Sequence, residues 1–156
     1  MRTRGLLAIS VLVAVLAGCK ASTPGKFETK TAVFAKHHIF FGNKKQKNPL
    51  PDTVQTRTDG QEAFVHYCVA CHGMDGQNTG VPFVDHLSPP VPSLASPEVQ
   101  QYTDGQLKWV LDNGIWPSGM PGSKGTLSDD EVWSIIIFLR HLPPAGSQGT
   151  PDMYNH

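Results

Sequence analysis

The chain is short of the features that most functional classes require. No segment alternates apolar and polar residues with the period of two that marks a half-buried strand, and no internal repeat is visible. These absences leave a helical domain. Cysteine is scarce: of 156 residues only positions 19, 68 and 71 carry it. No side chains combine into a convincing nucleophile or acid–base pair, so the sequence does not read as an enzyme acting by itself. Net charge is zero, and the basic residues cluster ahead of the folded part rather than on a face of it. Nucleic acid is therefore not an expected partner. The zero also hides a split. Residues 20–50 hold seven lysines against Glu28, about +6 by formal counting, whereas residues 51–156 hold four basic residues against twelve acids, about −8.

The first 18 residues have the layout of an export signal. Arg2 and Arg4 precede a short apolar run, residues 5–17, which is too short for a comfortable membrane span. Leu16-Ala17-Gly18-Cys19 follows and resembles the lipobox of bacterial lipoproteins. In that family the cysteine is lipidated and becomes the mature N-terminus. The resemblance implies an exported protein, lipid-anchored through Cys19 to a bacterial membrane and facing the periplasm. Residues 19–56 read as a basic tether. Its Phe27, Phe34, Phe40 and Phe41 are more apolar than a spacer needs, which suits docking on the domain or on a partner. His37 and His38 are most simply solvated.

The folded unit is expected over 57–143, with a polar, disordered tail over 144–156. Thr58-Asp59-Gly60-Gln61 is expected to open a helix with Ala63, Phe64, Tyr67 and Cys68 on its apolar stripe. Residues 73–96 lose periodicity and are rich in glycine and proline, the mark of a long stiffened loop. Thr103-Asp104-Gly105-Gln106 has capping-box spacing and predicts a helix that stops at Asn113-Gly114. Ser128-Asp129-Asp130-Glu131 predicts another, carrying Val132, Trp133, Ile135, Ile136, Phe138, Leu139 and Leu142 and ended by Pro143-Pro144. The fold class is all-α, three to four helices and long loops in under ninety residues. Such a unit buries little apolar surface by itself, and a large flat apolar cofactor at its centre would complete the core.

Cys68-Val69-Ala70-Cys71-His72 names that cofactor. If Cys19 carries lipid, Cys68 and Cys71 are the only thiols left, and a disulfide between residues three apart would stabilise little. A redox dithiol belongs in a βαβ setting, which is absent. A zinc site would need further ligands; His66 is near, but there is no second cysteine pair. CxxCH is the form used for covalent haem c attachment: two thiols on one helix end reach two vinyl groups of one porphyrin edge, and the following histidine is placed to bind iron. For the other axial position, Met74 is too close to the motif and Met153 lies in the tail. Met120, in the rigid turn Gly119-Met120-Pro121-Gly122, is the preferred ligand, and His141 on the last helix is its main rival.

These residues together resemble class I c-type cytochromes over about 57–143. The resemblance is carried by Gly60 and Phe64 ahead of Cys68–His72, then Gly73-Met74-Asp75-Gly76, Pro89-Pro90-Val91-Pro92-Ser93-Leu94, Gly114-Ile115 leading to Gly119-Met120-Pro121, and the final Phe138–Pro143. It implies a small cytochrome c fold around one haem c, with the first and last helices crossing where a glycine, Gly60, admits an aromatic residue, Phe138. It also implies that a carbonyl of the proline loop, at Pro90 or Pro92, accepts the second nitrogen of His72, and that Leu94 packs on the ring. Trp109 and Trp116 are candidates to contact the ring or a propionate, or simply to fill core space.

Histidine on one face of iron and thioether on the other leave no vacant site, which favours single-electron transfer over oxygen chemistry. The expected function is that of a membrane-anchored monohaem cytochrome passing electrons between respiratory partners, as a carrier or as the cytochrome subunit of a complex. The acidic domain suits a redox partner with a basic docking patch. The alternative from another class is a haem-based gas or redox sensor in which Met120 is displaced.

Overall fold

The computed structural model describes residues 42, 45–87, 90–115 and 118–147. The expectations for the leader, Cys19, most of the tether, Trp116 and the last residues of the tail lie outside them. Among the described residues are five α-helices and no strand: α1 Val54–Tyr67, α2 Val69–His72, α3 Pro97–Gln100, α4 Asp104–Asn113 and α5 Asp129–Arg140, with a 3-10 turn at Pro82–His86. The three longer helices are those the sequence predicts. The single-turn α3 was not expected, although Ser96 followed by Pro97 and Glu98 is a start signal, and the Ser96 hydroxyl does accept from Val99 N–H.

Both anticipated capping boxes form. The Thr103 hydroxyl accepts from Gln106 N–H at 3.3 Å while Gln106 Oε1 accepts from Thr103 N–H at 3.0 Å. Ser128 and Glu131 repeat the pattern at 3.3 and 2.8 Å. The start of α1 differs from expectation. It begins at Val54, where Thr53 and Thr56 exchange the same two bonds at 3.2 and 2.9 Å. That reciprocal pair satisfies orphan donors which Thr58 could not, and the Thr58 hydroxyl instead bonds back to Val54 O at 3.0 Å inside the helix. Of the expected stripe, Ala63 and Phe64 are buried, but Tyr67 is 54 % exposed.

α1 packs along α5, and α4 packs on α5 from another side. The crossing is set by Gly60, since a Cβ there would overlap the Ser134 carbonyl and lie 3.0 Å from Ile135 N. The glycine therefore admits the backbone of α5, not Phe138 as expected. Phe138 lies a helical turn further on and packs against Phe64, ring centroids 5.2 Å apart.

Ala63, Phe64, Ile135 and Leu139 form one core cluster; Val99, Tyr102, Leu107, Val132, Trp133 and Ile136 form another. Leu94, Leu111 and Leu127 pack on both and join them. Full burial of a side chain such as Phe64 or Ile135 is worth roughly 1.5–3 kcal/mol.

Charged groups bolt the helices together. At the end of α5, the Arg140 guanidinium donates to Asp104 Oδ1 at 3.1 and 2.8 Å, to Gln100 O at 2.9 Å and to Tyr102 O. At its start, Asp129 meets the buried Lys108, which also pairs with Asp112 at 2.7 Å. Burial alone would lower the Lys108 pKa, but the two carboxylates outweigh it and the net shift is upward. The folded unit also reaches further back than residue 57. Asn48 Nδ2 donates to Trp133 O at 3.0 Å, Leu50 packs on the second cluster, and Asp52 Oδ2 pairs with His141 Nε2 at 2.9 Å.

Candidate functional site

The Cys68–His72 motif sits at a break between two helices. Cys68 ends α1, its N–H bonding Phe64 O at 2.8 Å, and also precedes α2. The next turn closes through His72 N–H to Cys68 O at 3.0 Å and Gly73 N–H to Val69 O at 2.9 Å. Gly73 then leaves the helix at φ +69°, a conformation other residues rarely adopt. The break gives the two thiols different settings: Cys68 is half-buried and packs against the Phe64 cluster, whereas Cys71 is exposed, and both are free.

Those settings bear on the readings left open by the motif. Burial, reinforced by the neighbouring Cys71, pushes the Cys68 thiol up to about 11, so it stays protonated. A redox dithiol requires the opposite shift. The ring of His66 is exposed and its Nδ1 lies 2.7 Å from Glu62 O, and among the described residues no three His, Cys, Asp or Glu side chains group as a metal site. His72 is buried, and desolvation lowers its pKa to about 4. It is therefore the neutral imidazole that metal coordination requires. Its Nδ1 is sealed from solvent and has no hydrogen-bond partner.

Three more buried side-chain atoms lack partners among the described residues: Gln77 Nε2, Asn78 Oδ1 and Ser93 Oγ. All four belong to two segments, 72–78 and 91–94, that lie together. Asn78 Nδ2 donates to Val91 O at 2.7 Å, and Leu94 N–H donates to Gly76 O at 2.7 Å. Buried polar atoms are seldom left unpaired. Their concentration beside two free thiols and a neutral histidine fits a bound prosthetic group, and haem c suits the donor set.

The expected acceptor for the His72 ring is not engaged: neither Pro90 nor Pro92, both exposed, bonds Nδ1. Leu94, expected to pack on the ring, is half-buried and packs with Cys68 and Val69 against the Phe64 cluster. Asp75, which the motif carried without a role, is buried and braces the turn; its carboxylate accepts from Gln77 N–H at 2.8 Å and the Thr79 hydroxyl at 2.6 Å.

Met120 is half-buried on a loop pinned to the end of α4. Ile115 N–H bonds Met120 O at 3.1 Å, and both the N–H and the hydroxyl of Ser123 bond Leu111 O, at 2.8 and 2.9 Å. A Cβ on Gly114 would collide with the Met120 carbonyl and come 2.7 Å from Gly122 N. The Gly-Met-Pro turn is held close to the helix end, where Gly114 and Gly122 leave no room for a Cβ. His141 is tied to Asp52 instead. Trp109 is half-buried with Gly42 against its indole; a Cβ on Gly42 would lie 3.0 Å from Trp109 Cδ1.

The family model described as cytochrome C oxidase, cbb3-type, subunit III matches residues 55–139. No curated protein matches the chain. Among solved structures, a chain of a reducing HAO-like protein complex from Kuenenia stuttgartiensis is similar, with a TM-score of 0.50 and 20 % identity. The match covers 60 % of this chain and 46 % of that one, so this chain spans less than half the length of its structural neighbour. That likeness concerns the fold. The family match, over the segment that holds the CxxCH motif, the Leu94 loop, Met120 and α5, identifies the chain as a c-type cytochrome of the family of cbb3-type cytochrome c oxidase subunit III.

Proposed function

We propose that this chain is a monohaem cytochrome, tethered to a bacterial membrane through lipidated Cys19, that passes single electrons to and from respiratory partners as a carrier or fixed subunit. The observation that carries the reading is the state of His72: a buried neutral imidazole with an unpartnered Nδ1, one residue past two free cysteines. Haem c bound here supplies a one-electron couple. The protein's part is to hold and tune it. Cys68 and Cys71 anchor it, His72 offers a neutral ligand, and Met120 presents a thioether from a loop that cannot readily swing away. Thioether ligation raises the potential, and two fixed ligands keep the geometry change between redox states small. The family's description, an oxidase subunit, supports delivery of electrons to a membrane assembly. The acidic balance of residues 51–156 supports approach to a basic surface.

The test is covalency. Acid–acetone extraction of the exported protein should leave haem on the polypeptide, and Cys71→Ser should abolish normal maturation. Haem that extracts freely from the wild type would overturn the assignment.

A further inference from the structure

We infer that Asn78 is a positioning residue for His72. The inference rests on the reading of His72 as an iron ligand and goes beyond it. Among the described residues Asn78 is the only non-glycine with a left-handed backbone, φ +65°. Asparagine tolerates that region better than most residues, but glycine would do so at no steric cost. A turn that needed only this conformation would not require an amide. The amide is nevertheless engaged: Nδ2 reaches thirteen residues along the chain to Val91 O at 2.7 Å. The backbone N–H of the same residue bonds His72 O at 2.8 Å. Asn78 thus ties the backbone of the ligand to the 90–94 loop, and Leu94 N–H to Gly76 O closes a second rung beside it.

The chemistry makes this link matter. When Nε2 of a histidine binds iron, its proton sits on Nδ1, and the hydrogen bond made there sets ring orientation and basicity. Buried oxygens without partners lie on the two segments that Asn78 joins. Val91 O is occupied by Nδ2. Asn78 Oδ1 and Ser93 Oγ are buried acceptors without partners. Loss of the amide frees the loop from the backbone of His72, so donation from Nδ1 weakens and ferric iron is stabilised less.

The experiment uses the full chain matured with haem in an exporting bacterial host. Asn78→Gly keeps the backbone conformation and deletes the link. Covalent haem in the wild type is checked first; its absence would sink the cytochrome reading and leave Asn78 irrelevant. With haem present, the variant's midpoint potential should rise enough to change the ferric-to-ferrous ratio at fixed applied potential about tenfold, which is about 59 mV for one electron. The His72 Nδ1 proton should exchange faster by NMR. A variant that melts earlier but keeps its potential and its exchange rate would overturn the inference and leave Asn78 a turn-former. Should the variant fail to retain haem, the wild type decides: one Asn78 side-chain amide proton should exchange slowly in the reduced protein, and exchange at the free-amide rate would refute the link.

Discussion

Replacing Gly60 by alanine sets two effects of opposite sign against each other. Helix propensity favours the change by about 0.5–1 kcal/mol, because glycine costs more entropy in a helix than alanine. Packing opposes it. The new Cβ would overlap the Ser134 carbonyl and lie 3.0 Å from Ile135 N, and both obstacles are backbone held within α5. No rotamer change relieves the clash, so α1 must move away by about 1 Å to recover ordinary contact distances. A gap of that size forfeits a quarter to a half of the dispersion energy of the atoms lining it. Those atoms include Phe64 and Ile135, 1 % and 0 % exposed. Overpacking of this kind costs about 1–3 kcal/mol, occasionally more, and backbone against backbone belongs at the upper end. The net expectation is a loss of about 2 kcal/mol, or roughly 8–16 °C in Tm for a unit of this size. Thermal unfolding of the haem-loaded protein followed by far-ultraviolet circular dichroism measures it. A variant as stable as the wild type, or more so, would show that the crossing is looser than described and that propensity wins.

Other outcomes follow from the site and its attachments. Met120→Ala should lose the weak near-infrared sulfur–iron(III) band and gain carbon monoxide binding when reduced; an unchanged spectrum would move the ligand elsewhere. Cys19→Ser should release the protein into the soluble periplasmic fraction, since stable anchoring needs the lipid. Electron transfer to its partner should slow as salt rises if the two meet by diffusion, and be indifferent to salt if they are permanently assembled. Asp52→Asn should loosen residues 48–52 from the end of α5, read as faster amide exchange there. Hydrogen bonds from Arg57 and His141 hold the Asp52 carboxyl below its ordinary 3.8. Its contribution is therefore complete above that value and is lost as pH falls through the lower folded one, so wild type and variant should converge in strong acid.

What the sequence disclosed and what it withheld divide along the distance between interacting residues. Capping boxes at Thr103 and Ser128, the stop at Gly114 and the CxxCH turn involve partners within four positions, and all were legible. The start of α1 was local too, but the Thr53–Thr56 pair lacks the acidic or amide residue that usually marks such a box, whereas Thr58 and Gln61 have the usual spacing. Contacts between distant residues left no comparable trace. Nothing about Gly60 says that it faces Ser134 and not Phe138, and nothing about Arg140 says that it closes on Gln100, Tyr102 and Asp104. Asn78 stands between these cases. Its place in Asp75-Gly76-Gln77-Asn78 announces a turn, while its bond to Val91 becomes visible only when the loop has folded back.

The helix break at Cys68 separates two clocks. The backbone bonds that close the thiol-bearing turn between Phe64 and Gly73 join residues four or fewer apart, so the turn can form and dissolve on the time scale of helix fluctuations, about 0.1–1 μs. Closure of the core depends on another event, the docking of α1 on α5, which must first close the roughly sixty residues between Tyr67 and Asp129. An unfolded chain can therefore present both cysteines in register before α1 and α5 have docked. Formation of the thiol-bearing turn and closure of the core are then successive events, and the order is written into the connectivity.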